Sequence, residues 1–370
     1  MSNVIATKAK TGRDSRIEML RLFACFSVLV LHFKPNTFVE GRRILSRTFI
    51  TCLCTDAVGI FLLISGCFFF GKQNYADRVR SYITKIFIPT IVYTIFVAIG
   101  YPVIIGASVD YHRFCSEFVT TIITWNPVIH NAQHLWYMYL YGMLVVAWPV
   151  LKKLKETLLT TPMKKLIFLT VVLAFLTAND ISNNNILHCD MVPVTVFVPG
   201  CLFILAGGII YEERHRFQGK TVPAILSAAV FTCATAARSV YMRNLLNIDS
   251  SASHMYGWYT GIGFVCAVSL TVFVLNLKPF ANDILNALSG CTMTVYILHP
   301  LVSEIISVMG YRSWIISTFL DGSETFIQFI KFTGIYCLSV FIVCCVMALF
   351  LKSVLKIIKR KKQESACLSV

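Results

Sequence analysis

The stretch Glu18–Phe33, EMLRLFACFSVLVLHF, carries Arg21 and His32 inside one otherwise apolar run. Charged and ionisable groups are expensive in hydrocarbon and mark function there by default. Ten residues separate the two. Eleven steps of ~100° come within about 20° of three full turns, so on a helix both side chains share one face, roughly 16 Å apart along the axis.

The composition says what solvent such a helix meets. Of the 370 residues, 56% are hydrophobic and only 14% charged, against about 25% charged in soluble globular proteins. The mean hydropathy is +0.71. A soluble core does not need that much apolar surface, whereas many membrane spans do. The net charge is +15, but the basic residues sit in short clusters between apolar runs. That is the pattern of cytoplasmic loops, not of a nucleic-acid face, and no nucleic-acid-reading motif accompanies it. The 14 Cys are scattered, mostly within apolar runs such as those holding Cys52, Cys54, Cys201 and Cys344. They read as small hydrophobes and not as a disulfide framework.

Ten apolar runs are long enough to count as spans: 18–37, 49–70, 86–107, 134–151, 165–178, 193–211, 222–240, 257–276, 286–309 and 326–351. The fifth is the shortest. The first is too long, and wrongly flanked, for a cleaved signal peptide. With the N-terminus inside, 23 of the 33 Lys and Arg residues fall on the cytoplasmic side and nine, Arg238 among them, on the other. This bias puts both termini in the cytoplasm. The expected fold is all-α and integral to the membrane, with about ten transmembrane helices around a polar cavity. No segment reads as a separate soluble domain, so residues 1–370 form one unit with tails at 1–17 and 352–370.

Several ionisable residues lie in or beside these runs. Arg21 and His32 either snorkel to the two headgroup layers or turn one polar wall into a cavity, where a neutral imidazole can take a hydroxyl proton. The second run holds Asp56, which needs a partner or water, and ends near Ser65-Gly66, small residues that also suit a close helix contact. Arg78, Arg80 and Lys85 precede Pro89 and read equally as positive-inside anchors or as a basic mouth for phosphates. At the start of the fourth run, His134 and Trp136 stand among tyrosines, as in an interfacial belt or a carbohydrate platform. His299 and Pro300 interrupt the ninth run, as a kink or as a reactive site. His130 and His134 have helical i,i+4 spacing but no acidic or thiolate ligand pattern nearby, so no metal is expected.

Taken together, these residues resemble the acyltransferase 3 family, integral membrane O-acyltransferases of bacteria. Arg21 and His32, an Arg and a His ten residues apart, carry the resemblance first. The Asp…F-x-x-x-SG pattern follows as Asp56, Phe61 and Ser65-Gly66, and the basic approach to a proline as Arg78, Arg80, Lys85 and Pro89, although only Lys85 stands close to the proline. HLWY at 134–137 and LHP at 298–300 are similar to the subgroup that acetylates surface polysaccharides. The resemblance implies transfer of an acetyl group from cytoplasmic acetyl-CoA to a hydroxyl of a cell-surface glycan or glycolipid, by a multi-pass protein of the bacterial inner membrane. It casts His32, Arg21 and Asp56 as catalytic, Arg78, Arg80 and Lys85 as donor-binding, and Ser65, His134, Trp136 and His299 as acceptor-binding. A transporter or flippase of a glycan or lipid-linked precursor is the alternative, since the same intramembrane charges would line a path. A sensor or racemase-linked membrane domain is a third, more distant reading.

Overall fold

The computed structural model describes residues 13–33, 38–39, 42–43, 45–71, 74–129, 132–181, 195–248, 257–319 and 326–368. The opening run folds as helix α1, Ser15–Phe33. Its first turn is fastened before its apolar part begins. Ser15 N donates to the Phe280 carbonyl at 3.0 Å, and the Ser15 hydroxyl donates to Asn286 Oδ1 at 3.0 Å. Arg16 reaches the carbonyls of Leu275 and Leu277, each at 2.6 Å. The Ser15 N–H is a group that a helix start leaves open, and the two carbonyls that Arg16 reaches are groups left open where another helix, Gly261–Asn276, ends.

The chain continues through α2 (Leu45–Thr55) and α3 (Ala57–Phe69), then α4 (Tyr75–Ile104), which contains two π turns at Ile83–Phe87 and Phe96–Gly100. Helices α5 (Tyr111–Thr124), α6 (Gln133–Leu158), α7 (Pro162–Ile181) and α8 (Phe197–Glu213) follow. After them come α9 (Thr221–Ile248), α10 (Gly261–Asn276), α11 (Asp283–Ser289) and α12 (Thr292–Val308). The last two are α13 (Tyr311–Phe319) and α14 (Phe326–Leu368). Among the described residues the only strands are the dipeptides Phe38–Val39 and Arg42–Arg43, paired antiparallel.

The fold is therefore all-helical, and its longest apolar helices are of membrane-spanning type. Leu45–Phe69, Tyr75–Ile104, Gln133–Leu158, Thr221–Leu245 and Ile330–Val354 are long and apolar enough to cross a bilayer. The pair α11 and α12, bent by 54°, makes a sixth if taken as one span. The other four of the ten apolar runs are helical but shorter or more charged. Helix α1 carries Arg16, Glu18 and Arg21, α7 begins with Lys164 and Lys165, and α8 and α10 have 17 and 16 residues.

Helix α1 is the axis of the bundle, touching α2, α3, α10, α11, α12 and α14. The closest pairing is that of α3 with α8. A methyl group at Gly66 would land on the Ile204 carbonyl oxygen, and one at Gly207 on the Leu63 carbonyl oxygen. Small residues let these two backbones meet, as in membrane helix pairs generally. The position of Arg238 corrects the side-by-side charge tally. That residue is no loop charge: it lies within α9 and its side chain is 1% exposed. Arg47, also counted there, is buried as well.

Candidate active site

Three histidines from three helices converge at the C-terminal end of α1. The His32 ring lies 4.8 Å from that of His299 on α12 and 6.1 Å from that of His134 at the start of α6, centroid to centroid. The His134 and His299 rings are 5.2 Å apart. Sequence separations of more than 100 residues are closed here, and one staple explains how. Tyr296 Oη donates to the His134 carbonyl at 2.5 Å, and His134 Nε2 lies 3.1 Å from the Ile297 carbonyl. A carbonyl only accepts, so His134 carries its hydrogen on Nε2 and donates it. The first turn of α6 is thereby clamped onto α12.

His299 is held differently. Its Nδ1 lies 2.8 Å from the Tyr296 carbonyl and 3.2 Å from that of Val295, both on its own helix. Nδ1 is therefore the protonated nitrogen of the neutral ring, and the Nε2 lone pair faces away from the helix. Pro300 follows directly, and a proline inside a helix leaves the carbonyl four residues back without its usual N–H. That carbonyl is Tyr296's, so the imidazole satisfies the group that the kink frees.

A cavity of about 350 Å³ opens beside these rings, lined by His32, His299, Ser303, Glu304, Arg312 and Tyr336 together with apolar neighbours. His32 is exposed and His299 is buried at its wall. Both charge signs and several hydroxyls thus face one space, which suits a polyhydroxyl ligand more than an apolar one. A second cavity, of about 230 Å³, lies toward the N-terminal end of α1. Arg21, Ser65, Tyr137, Tyr141, Thr292 and Tyr296 are among its lining residues. Arg21 also pairs with Glu18, one turn earlier, and the Ser289 hydroxyl donates to the same carboxylate. Residues Thr292, Tyr296, His299 and Ser303 descend α12 at helical spacing, so a single stripe lines first one cavity and then the other.

A family model described as an acyltransferase domain matches residues 14–349, nearly the whole chain. The chain belongs to the acyltransferase 3 family. No curated protein and no solved structure matches it. Family membership and the apolar helices together make it a multi-pass membrane acyltransferase.

Of the residues that the acyltransferase 3 pattern singles out, the structure brings His32, His134 and His299 together, and seats Arg21 and Ser65 at one second cavity. Asp56 lines neither cavity. It sits at the break between α2 and α3, where its Oδ1 accepts from Arg238 Nη1 at 2.8 Å with both side chains buried. Arg238 also donates to the Gly257 carbonyl at 3.0 Å. Trp136 is half-buried against the core rather than in either cavity. Arg78 is buried, with its guanidinium 5.1 Å from the Phe69 ring centroid and 5.3 Å from that of Trp148. Arg80 and Lys85 are exposed, and Ile86, the next residue after Lys85, lines the Arg21 cavity. His130 lies outside the described residues. Among those described, no group of three or more His, Cys, Asp or Glu could hold a metal ion, and the described cysteines are all free.

Sequence reasoning passed over Glu18, Tyr296 and Glu304. Signals for each were present. Glu18 stands at i−3 from Arg21, the spacing of a helical ion pair. Tyr296 stands at i−3 from His299, and Glu304 is the only acidic residue in the run Asn286–Met309.

Proposed function

We propose that this protein moves an acetyl group from cytoplasmic acetyl-CoA to a hydroxyl of a cell-surface glycan or glycolipid, from ten spans in the bacterial inner membrane with both termini in the cytoplasm. The observation that carries the reading is the pair of cavities on one wall of α1 and α12, with Arg21 at one and His32 at the other. The bias of basic residues puts the Arg21 end toward the cytoplasm, where the donor is made. His32 then stands at the opposite end, where the acceptor arrives.

The division follows from the lining. The Arg21 cavity is the smaller of the two and is lined by Tyr137, Met138 and Tyr141, and it suits the acyl end of a thioester. The phosphates of the donor stay outside it, near Arg78, Arg80 and Lys85. The His32 cavity offers Glu304, Arg312, Ser303 and Tyr336, groups that hydrogen-bond sugar hydroxyls. His32 reacts with what meets there, by taking the hydroxyl proton or by carrying the acyl group. Arg21, charge-balanced by Glu18, retains guanidinium N–H groups for the thioester end.

The experiment is acetyl-ester formation on isolated surface glycan, with acetyl-CoA binding measured separately on purified protein. His32→Ala is expected to lose ~10²–10⁴ in transfer rate while binding acetyl-CoA nearly as the parent does, because His32 stands ~16 Å along α1 from Arg21 and does not line the Arg21 cavity. Parental acetylation by His32→Ala removes His32 from the chemistry and raises the transporter reading above this one.

A further inference from the structure

We infer that His299 is a second catalytic histidine, whose Nε2 takes the proton from the acceptor hydroxyl. This rests on the acyl-transfer reading above and goes beyond it, because the family pattern assigns the reaction to the histidine of α1.

The geometry separates the three histidines by what each nitrogen can still do. His134 is committed through Nε2, which donates to the Ile297 carbonyl. His299 is committed through Nδ1, which donates to its own helix. That bond fixes the tautomer and the ring orientation, the service that an orienting acceptor performs for a catalytic imidazole. His299 is 2% exposed, and among the described residues its Nε2 has no hydrogen-bond partner. Buried polar nitrogens are nearly always paired, and leaving one unpaired costs about 1–3 kcal/mol. A fold that gives the kink-freed carbonyl to Nδ1 and leaves Nε2 unpaired on a residue that lines a polar cavity reserves that lone pair for a ligand. The ligand must be a donor, and it reaches the atom past His32, the exposed ring 4.8 Å away.

The acceptor O–H bond breaks and its proton goes to His299 Nε2. The oxygen electron pair forms the ester bond to the acyl carbon of the acyl thioester. The carbon–sulfur bond breaks, and sulfur leaves with its electron pair. The proton then passes from the imidazolium through water to the thiolate, and His299 returns to neutral. His32, whose ring lies 4.8 Å from that of His299, contacts the same hydroxyl and orients it without taking its proton, and nothing is oxidised or reduced.

Two substitutions separate chemistry from architecture. His299→Asn keeps a donor near the place of Nδ1 and removes Nε2. His299→Gln sets an amide near the place of Nε2, where it can hydrogen-bond but cannot take a proton. Both are expected to bind acetyl-CoA and to melt as the parent does, yet to transfer acetyl at least ~100-fold more slowly. His299→Ala opens a space for free imidazole, and millimolar imidazole is expected to restore transfer severalfold. A merely structural role would not respond to it. Transfer within threefold of the parent in either amide variant overturns the inference. So does loss of thioester binding or of the thermal transition in both, which would assign His299 to packing, and so does His299→Ala without imidazole rescue. A parent protein that forms no acetyl ester on any glycan fails the acyl-transfer reading itself, a result distinct from all of these.

Discussion

Two buried polar clusters lie within this bundle, and they are built on opposite rules. Asp56 and Arg238 form a closed pair: opposite charges at 2.8 Å, both side chains shielded, with the guanidinium also anchored on the Gly257 carbonyl. The histidine cluster is open: three neutral-capable rings, a cavity of about 350 Å³ beside them, and one nitrogen with no partner among the described residues. Sequence reasoning treated Asp56 and His32 alike, as ionisable groups in hydrocarbon that mark function. The structure shows that such a group has two ways to persist. It is neutralised by a partner and locks helices together, or it keeps unused bonding capacity facing a space that a substrate can enter. The second condition points to chemistry. The first points to the break between α2 and α3, which the pair ties to α9.

The largest effect expected of that contrast is on folding. Asp56→Ala strands a buried guanidinium, and removing one partner of a buried ion pair typically destabilises by about 3–5 kcal/mol. The protein should unfold at markedly lower temperature in detergent, while the molecules that remain folded keep their transfer rate. Replacing both partners, as Asp56→Leu with Arg238→Met, should recover most of the loss, since a packed apolar pair substitutes for an ion pair of similar volume. An Asp56→Asn protein that melts like the parent but transfers nothing would break the comparison and return Asp56 to the reaction centre.

A smaller effect sharpens the reading of Ser65-Gly66, where the two residues divide the two roles proposed for them. Ser65 lines the Arg21 cavity, whereas Gly66 faces the α8 backbone. Gly66→Ala or Gly207→Ala forces a methyl group against a carbonyl oxygen of the partner helix, and overpacking of this kind costs about 1–3 kcal/mol. Thermal unfolding should register it in both, with Ser65→Ala near the parent in stability. Equal melting temperatures in parent and both glycine variants would mean that α3 and α8 separate more readily than their contact suggests.

How much of this was legible in the sequence depends on the range of the interaction. The helices were legible, because apolar content over twenty residues is a local property, and each of the ten runs is largely helical. The breaks were not. The turn at Asp56 follows from a partner 182 residues away in α9, and the helices α5 and α13 are too short and polar to stand out as spans. Arg21 and His32 on one face of α1 followed from the 3.6-residue period alone. The meeting of His32 with His134 and His299 did not, since no period connects α1, α6 and α12. The flanking residues HLWY and LHP mattered for a reason that spacing could not reveal: each supplies one ring to the same cluster.

The smallest effect concerns the basic group before Pro89, where exposure decides among three residues that look equivalent in sequence. Arg80 and Lys85 are exposed, whereas Arg78 is buried between the rings of Phe69 and Trp148 with its Nε unpartnered among the described residues. Charges at the surface are screened by salt and hold a ligand weakly. Arg80→Ala and Lys85→Ala should each weaken acetyl-CoA binding by about fivefold or less, and that difference should vanish at high salt. Arg78→Lys keeps the charge but loses the flat guanidinium that lies over the two rings, so its effect should survive high salt and appear in stability as well as in donor affinity. If instead Arg80→Ala weakens donor binding more than Arg78→Lys does at every salt concentration, the phosphates sit on the exposed face of α4. Arg78 is then only a packing element, a second closed cluster beside that of Asp56 and Arg238.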